Sequence, residues 1–251
     1  MHDGSTELEE ALSDGAEEIL ASKAGEESIG MLADPVEEKE TKITYMPNNG
    51  HAMSAYMMSV ALWVGCLALC LMYPLTKYKG ELKGGMSWWI SKASVLTVVS
   101  VIMAIVMITM LRIVNGFTPK SYVSVLLVAV VASLTFMSIM YFFDVLFGKI
   151  GSFMMLVFMV LQLAGSAGTY PVEISGAFVA KIHAYLPFTY TVDAFRMAIA
   201  GKSGYGQMIG NLCFIMVIFT VLTILMFEVK TYKIRKNKAL LEDFYEEHGL
   251  A

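Results

Sequence analysis

Glu173, Lys181, His183, Asp193 and Arg196 crowd into "GTYPVEISGAFVAKIHAYLPFTYTVDAFR", residues 168–196, with apolar sequence on either side. Two carboxylates and an imidazole could be written as an acid–base set, because histidine titrates near neutrality. No Ser or Cys nucleophile stands in a recognisable elbow, and no paired His spacing suggests a metal. "GKS" at 201–203 invites a phosphate-loop reading, but the pattern needs a glycine where Arg196 stands. Cys66, Cys70 and Cys213 all fall inside apolar runs and read as packing residues. The chain therefore carries no expected catalytic, cofactor or metal site. The charged stretch reads as a structural cap.

The elements that would hold such a cap are membrane helices. Of 251 residues, 57% are hydrophobic and only 16% charged, too few charges for a soluble domain of this size. Mean hydropathy is +0.62. Five apolar runs are long enough to cross about 30 Å of hydrocarbon as helices, at 55–76, 93–114, 122–143, 152–170 and 207–229. The expected architecture is an all-α polytopic membrane protein: an acidic segment over 1–54, a transmembrane domain over 55–229 and a tail over 230–251. Between the last two spans, Pro171 and Pro187 break the chain into a short re-entrant or interfacial helical segment.

Lys and Arg in the flanks suggest an orientation. Loop 77–92, Lys149 and the tail "KTYKIRKNK" together hold ten of the 18 basic residues, and they lie on one side. That side is expected to be cytoplasmic, with the N-terminus outside. Residues 1–54 carry 13 of the 22 acidic residues and no apolar leader. A preceding span is therefore expected to be missing. Leu8, Leu12, Ala16, Ile19 and Leu20 recur at helical spacing, and Thr6 with Glu9 suggests a capping box. This segment reads as the end of an extracellular helical stalk.

Three ordered blocks carry a resemblance: "PNNGHAMSAYMMSVALWVGCLAL" (47–69), "LVFMVLQLAGSAGTYPVEI" (156–174) and "IHAYLPFTYTVDAFRMAIAG" (182–201). Together they closely resemble the phage infection protein (Pip/YhgE) family of bacterial membrane proteins, allied to type-2 ABC exporter permeases. The resemblance implies six spans, with a large extracellular helical insertion after the first. This chain departs by lacking that span and most of the insertion. It also implies a separate cytoplasmic ATP-binding subunit, pairing as a homodimer or heterodimer, and a bacterial cell membrane. The partners are then lipid and that subunit, with no nucleic acid.

Within this frame Gln162 has two readings, an interhelical hydrogen bond or a wall of the transport pathway, and Glu173, His183, Asp193 and Arg196 share the second. Ala164, Gly165 and Gly168 are small enough for close helix approach. Asp144 reads as a helix-end charge or an ion pair with Lys149. Loop 77–92 is first a topology determinant, with Trp88 and Trp89 as interface anchors. By resemblance, Lys79, Glu81, Lys83, Trp88 and Trp89 would form the contact with the ATPase, although Gly80, Gly84 and Gly85 weaken a helix there. The alternative from another class is a non-transporting surface scaffold or phage- or secretion-associated receptor, merely anchored by its helices.

Overall fold

A computed structural model describes residues 2–21, 46–78, 83–168 and 176–236. Lys79, Glu81 and Glu173 lie outside the described residues, as does the tail beyond residue 236. The chain divides into two compact units, Met1–Ile43 and Thr44–Ala251. In the first, α1 (His2–Ala21) begins ahead of Thr6, so Thr6 is an interior residue and not the expected cap. Leu8 and Leu12 stand exposed on it.

The second unit runs α2 (Asn49–Met72), α3 (Gly85–Asn115), α4 (Tyr122–Phe147), α5 (Lys149–Gly165), α6 (Ala177–Ile182), a 3-10 turn (His183–Tyr185), α7 (Pro187–Ala200) and α8 (Tyr205–Arg235). No strand occurs among the described residues. Helices α2, α3, α4 and α8 are each long and apolar enough to cross a bilayer. The fifth expected span is shorter than its apolar run. With 17 residues, α5 rises only about 26 Å. It stops at Gly165, with Ser166 as its C-cap. Ala167 takes a left-handed φ of 52°, which ends the helical backbone.

Local chemistry sets the other ends. Asn48 caps α2 by accepting from the His51 N–H, so that helix starts ahead of the expected residue 55. Ser121 caps α4 through the Ser124 N–H at 3.3 Å. Pro187 opens α7, where its fixed φ suits the first turn and its missing N–H costs nothing. Gly201, at φ 69°, closes it. Between α4 and α5 the chain reverses at Gly148, whose φ of 61° and ψ of −139° only glycine adopts readily.

Helix α4 is the hub, packing against α2, α3, α5, α7 and α8. At its middle, Phe136 meets Trp63 of α2 at 5.0 Å and Phe188 of α7 at 5.4 Å, and Trp63 also reaches Phe158 of α5 at 5.9 Å. Edge-to-face geometry dominates around Trp63, the arrangement ring quadrupoles favour. Below this cluster a polar thread crosses three helices. Cys66 lies 3.5 Å from the Ser133 carbonyl, and the Ser133 hydroxyl donates to the Ser100 carbonyl at 3.0 Å. Such bonds matter in lipid, where tails offer apolar contact as good as any leucine and cannot drive helices together. Helices α3 and α8 turn Val98, Ile102, Val217 and Val221 outward.

Gly151 permits the α4–α5 reversal, since a Cβ there would collide with the carbonyl of Phe143. That carbonyl belongs to a helix and cannot swing aside. Gly151→Ala is expected to destabilise the unit by about 1–3 kcal/mol, the range for overpacking. Thermal unfolding in detergent should show a lowered midpoint. Gly210→Ala, where a Cβ meets open space, should leave the midpoint unchanged or raise it.

Candidate functional site

Helix α7 starts with a deficit. Its N-cap residue, Leu186, has no side chain that can accept a hydrogen bond. With Pro187 lacking an N–H, the first orphan donor is that of Phe188, fully buried. Gln162 of α5 supplies the acceptor from across the bundle, its Oε1 lying 3.2 Å from the Phe188 nitrogen. Gln162 is itself fully buried, and its Nε2 has no partner among the described residues. The same holds for Trp63 Nε1 on α2 and for Ser166 Oγ just past the end of α5.

The end of α5 is tied down with equal economy. His183 Nδ1 sits 2.7 Å from the Gly165 carbonyl, so Nδ1 must carry the proton and donate. Thr189 of α7 donates to the His183 carbonyl at 2.6 Å. Arg196 spans two more carbonyls with one nitrogen, Ala167 at 2.8 Å and Gly168 at 2.9 Å. Its other nitrogen is 3.7 Å from Asp193 Oδ1, one helical turn away. Burial pushes the Asp193 carboxyl above its ordinary range, while Arg196 and His183 pull it back.

Gln162, His183, Asp193 and Arg196 thus converge on the junction of α5 and α7. Glu173 lies outside the described residues. Apart from the Asp193–Arg196 pair and the Thr189 hydroxyl 3.3 Å from His183 Nδ1, these contacts in the junction engage backbone. The arrangement holds an interrupted helix pair together, with its guanidinium, imidazole and amide acting as caps. Gly165 and Gly168 share in it: a Cβ on the first would strike Leu186, and on the second the ring of Tyr56. Ala164, by contrast, faces outward.

At the opposite end, the other sequence-flagged residues separate. Residues 85–89 are the opening turns of α3 itself and form no independent helix. Trp88 is buried, stacked edge-on against Phe227 at 4.8 Å and Tyr78 at 5.2 Å. Trp89 is half-buried and lines a cavity of about 240 Å³ between α3, α4 and α8, with Thr97, Ser138, Tyr141, Thr220 and Thr223. Lys83 is exposed, and its carbonyl accepts from Arg235 at 2.9 Å. Lys79 and Glu81 lie outside the described residues.

Glu228 went unmarked in the sequence reading. Its Oε1 accepts from the Met86 N–H at 2.9 Å, capping α3 from α8. Gly84 at the N-cap offers no side chain, and Gly85 lies against the Glu228 backbone. The signal was a lone acid near the end of an apolar run. Asp144 takes Ser152 of α5 as its partner at 2.7 Å, while Lys149 points outward. The expected ion pair between the two does not form. His51 also went unmarked. Its only sequence signal is its place three residues after a capping Asn.

A bundle of membrane-length helices around α4, closed at one end by a broken helix pair, defines a polytopic helical membrane protein. A family model described as "ABC-2 family transporter protein" matches residues 84–227, from the start of α3 through most of α8. The chain belongs to that family. It is also 34% identical over 212 residues to the uncharacterized protein YhgE of Bacillus subtilis (strain 168), covering 84% of this chain. The match makes it a Pip/YhgE-like membrane domain, spanning 27% of that relative's length. No solved structure matches.

Replacing Gln162 by Leu leaves the Phe188 N–H buried without an acceptor. The expected cost is about 1–3 kcal/mol, read as a lowered unfolding midpoint in detergent. Faster hydrogen exchange should be confined to the first turn of α7. An unchanged midpoint would show that the amide contributes no cap.

Proposed function

We propose that this chain is the permease portion of an exporter that works with a separate cytoplasmic ATPase. The observation that carries the reading is the ABC-2 family match over 84–227, which takes in α3, α4, α5, α7 and most of α8. Membranes tolerate irregular backbone only where protein buries it or it lines a cavity, and the α5–α7 junction fits a cap over a pathway. The N-terminus lies outside and the C-terminus in the cytoplasm, in keeping with the basic residues of loop 77–92 and of the tail. Two such permease units pair, as a homodimer or heterodimer. The exposed lysines of the loop, Lys77 and Lys83, together with Lys79 and Glu81, contact the ATPase. Trp88 supports that surface from within, since its ring is spent on Phe227.

The test is affinity purification from native membranes in mild detergent, with Lys77, Lys79 and Lys83 changed to Glu in the control. Trp88 is left intact because its loss would disturb α3 and α8. A nucleotide-binding subunit should co-purify with the native loop and be depleted about tenfold or more with the altered one, the scale on which reversed charges change an interface. Recovery of only extracellular or secretion-machinery proteins would replace the permease reading with that of an anchored scaffold.

A further inference from the structure

The block "PNNGH" at 47–51 opens α2, and its histidine fastens a different part of the chain. His51 Nε2 lies 3.1 Å from the backbone nitrogen of Thr118, in the segment 116–121 joining α3 to α4. A backbone N–H can only donate, so Nε2 must be the unprotonated acceptor. Nδ1 then carries the proton, and it sits 2.9 Å from Asn48 Oδ1. The Asn48 amide cannot be the other way round, because the same Oδ1 accepts the His51 backbone N–H at 3.0 Å. Two backbone donors therefore fix both the tautomer of the ring and the orientation of the amide. Phe117 stacks on the imidazole with centroids 5.2 Å apart and is buried.

The far end of this segment is held elsewhere. The Lys120 N–H donates to the Ile199 carbonyl, at the close of α7, at 3.0 Å. Segment 116–121 is thus a strap from the start of α2 to the end of α7. We infer that His51 is a proton-operated latch on this strap: a second proton on the ring removes the acceptor that Thr118 N–H requires and sets two N–H groups against each other. Imidazole is the side chain suited to making that change near neutrality. Asn48 Oδ1 continues to accept from Nδ1, and the Thr118 hydroxyl, 3.3 Å from Nε2, can accept from the new proton there. That hydroxyl sits on the strap but leaves the backbone N–H unpaired.

The charged and titratable groups on the surrounding elements are engaged away from the ring. Arg112 of α3 stacks on Tyr122, whose hydroxyl donates to the Phe117 carbonyl at 2.6 Å. Lys120 runs along Gly201, and Arg196 is spent on the α5 carbonyls. None of these offers the imidazolium an anion. Release of the strap removes its tie to the start of α2, while the Lys120–Ile199 bond and the direct Trp63–Phe188 contact between α2 and α7 stay intact. The inference does not depend on which side of the membrane this face occupies, nor on what the protein transports.

Hydrogen exchange by mass spectrometry on the full chain in lipid nanodiscs tests it. Rates for peptides covering 116–121 are compared between wild type and His51→Gln at matched pH, so that the intrinsic pH dependence cancels. The glutamine Oε1 can accept from Thr118 N–H but does not titrate. From about pH 8 to about pH 5, across the range of histidine ionisation, strap exchange in wild type should accelerate relative to His51→Gln by about tenfold, the size of one lost hydrogen bond. Exchange elsewhere in α4 should stay level. His51→Ala should exchange fast at both extremes. A wild-type to glutamine ratio that stays constant across the range would overturn the latch, as would protection of the strap in His51→Ala.

Discussion

A helix that stops where protein buries it leaves carbonyls without partners, and one that starts there leaves amides in the same state. Water cannot rescue either. The junction of α5 and α7 contains both defects, and one set of side chains repairs them: Gln162 takes the Phe188 N–H, His183 the Gly165 carbonyl, and Arg196 those of Ala167 and Gly168. The repairs run from α5 to α7, from the 3-10 turn back to the end of α5, and from α7 to the residues just past α5. The two short helices therefore cannot part without exposing backbone, and the rest of the bundle is arranged around a unit that must stay closed. Trp63 and Phe136 pack onto Phe188, where that unit presents its apolar side to α2 and α4.

The same logic recurs at the opposite end with a different cast. There Glu228 caps α3 from α8, and Ser152 of α5 holds Asp144 of α4. Arg235 reaches the Lys83 carbonyl. The starts of α3, α5 and, at the other end, α7 lack a side-chain cap of their own, because glycine or leucine stands at the N-cap. Glycines let backbones approach closely in membranes, but they surrender local capping, which then has to come from a neighbouring helix. That trade makes the fold depend on long-range pairs at its ends and on van der Waals packing in its middle.

Length and apolarity are one-dimensional properties, so four spans and the interrupted segment could be read directly from the sequence. Which helix lies at the centre could not. Runs facing lipid and runs facing protein are equally apolar, and nothing in composition separates buried α4 from exposed α3 and α8. The early stop of α5 was hidden for a related reason: Ala164 to Gly168 prolong the apolar run while Ala167 leaves the helical region. Gln162 stood out as a polar residue in a span, yet its partner is a backbone amide twenty-six positions away, which carries no side-chain signature. His51 was passed over because its partners are likewise an adjacent cap and a distant N–H. Conversely, Ala164 matched a packing pattern and faces outward. Small size permits close approach without specifying which face will use it.

Membership of the ABC-2 family sets a demand that these contacts must meet. Rearrangement in the proposed permease would have to leave the broken helix pair sealed. Separating α5 from α7 would break several charge-assisted or fully buried bonds at once, each costly to leave unmade. By contrast α2 meets the α7 side through ring contacts, through Gly168 against Tyr56, and through the strap fastened at His51. Ring contacts can slide, and a single hydrogen bond to an imidazole can be switched. Rearrangement is therefore cheapest between α2 and the α5–α7 unit, with α4 as the surface both share. The polar thread of Cys66, Ser133 and Ser100 ties α2 to α4, and α4 to α3, three residues along α2 from Trp63. A displacement at the seam between α2 and the α5–α7 unit would leave every backbone repair at the junction unbroken.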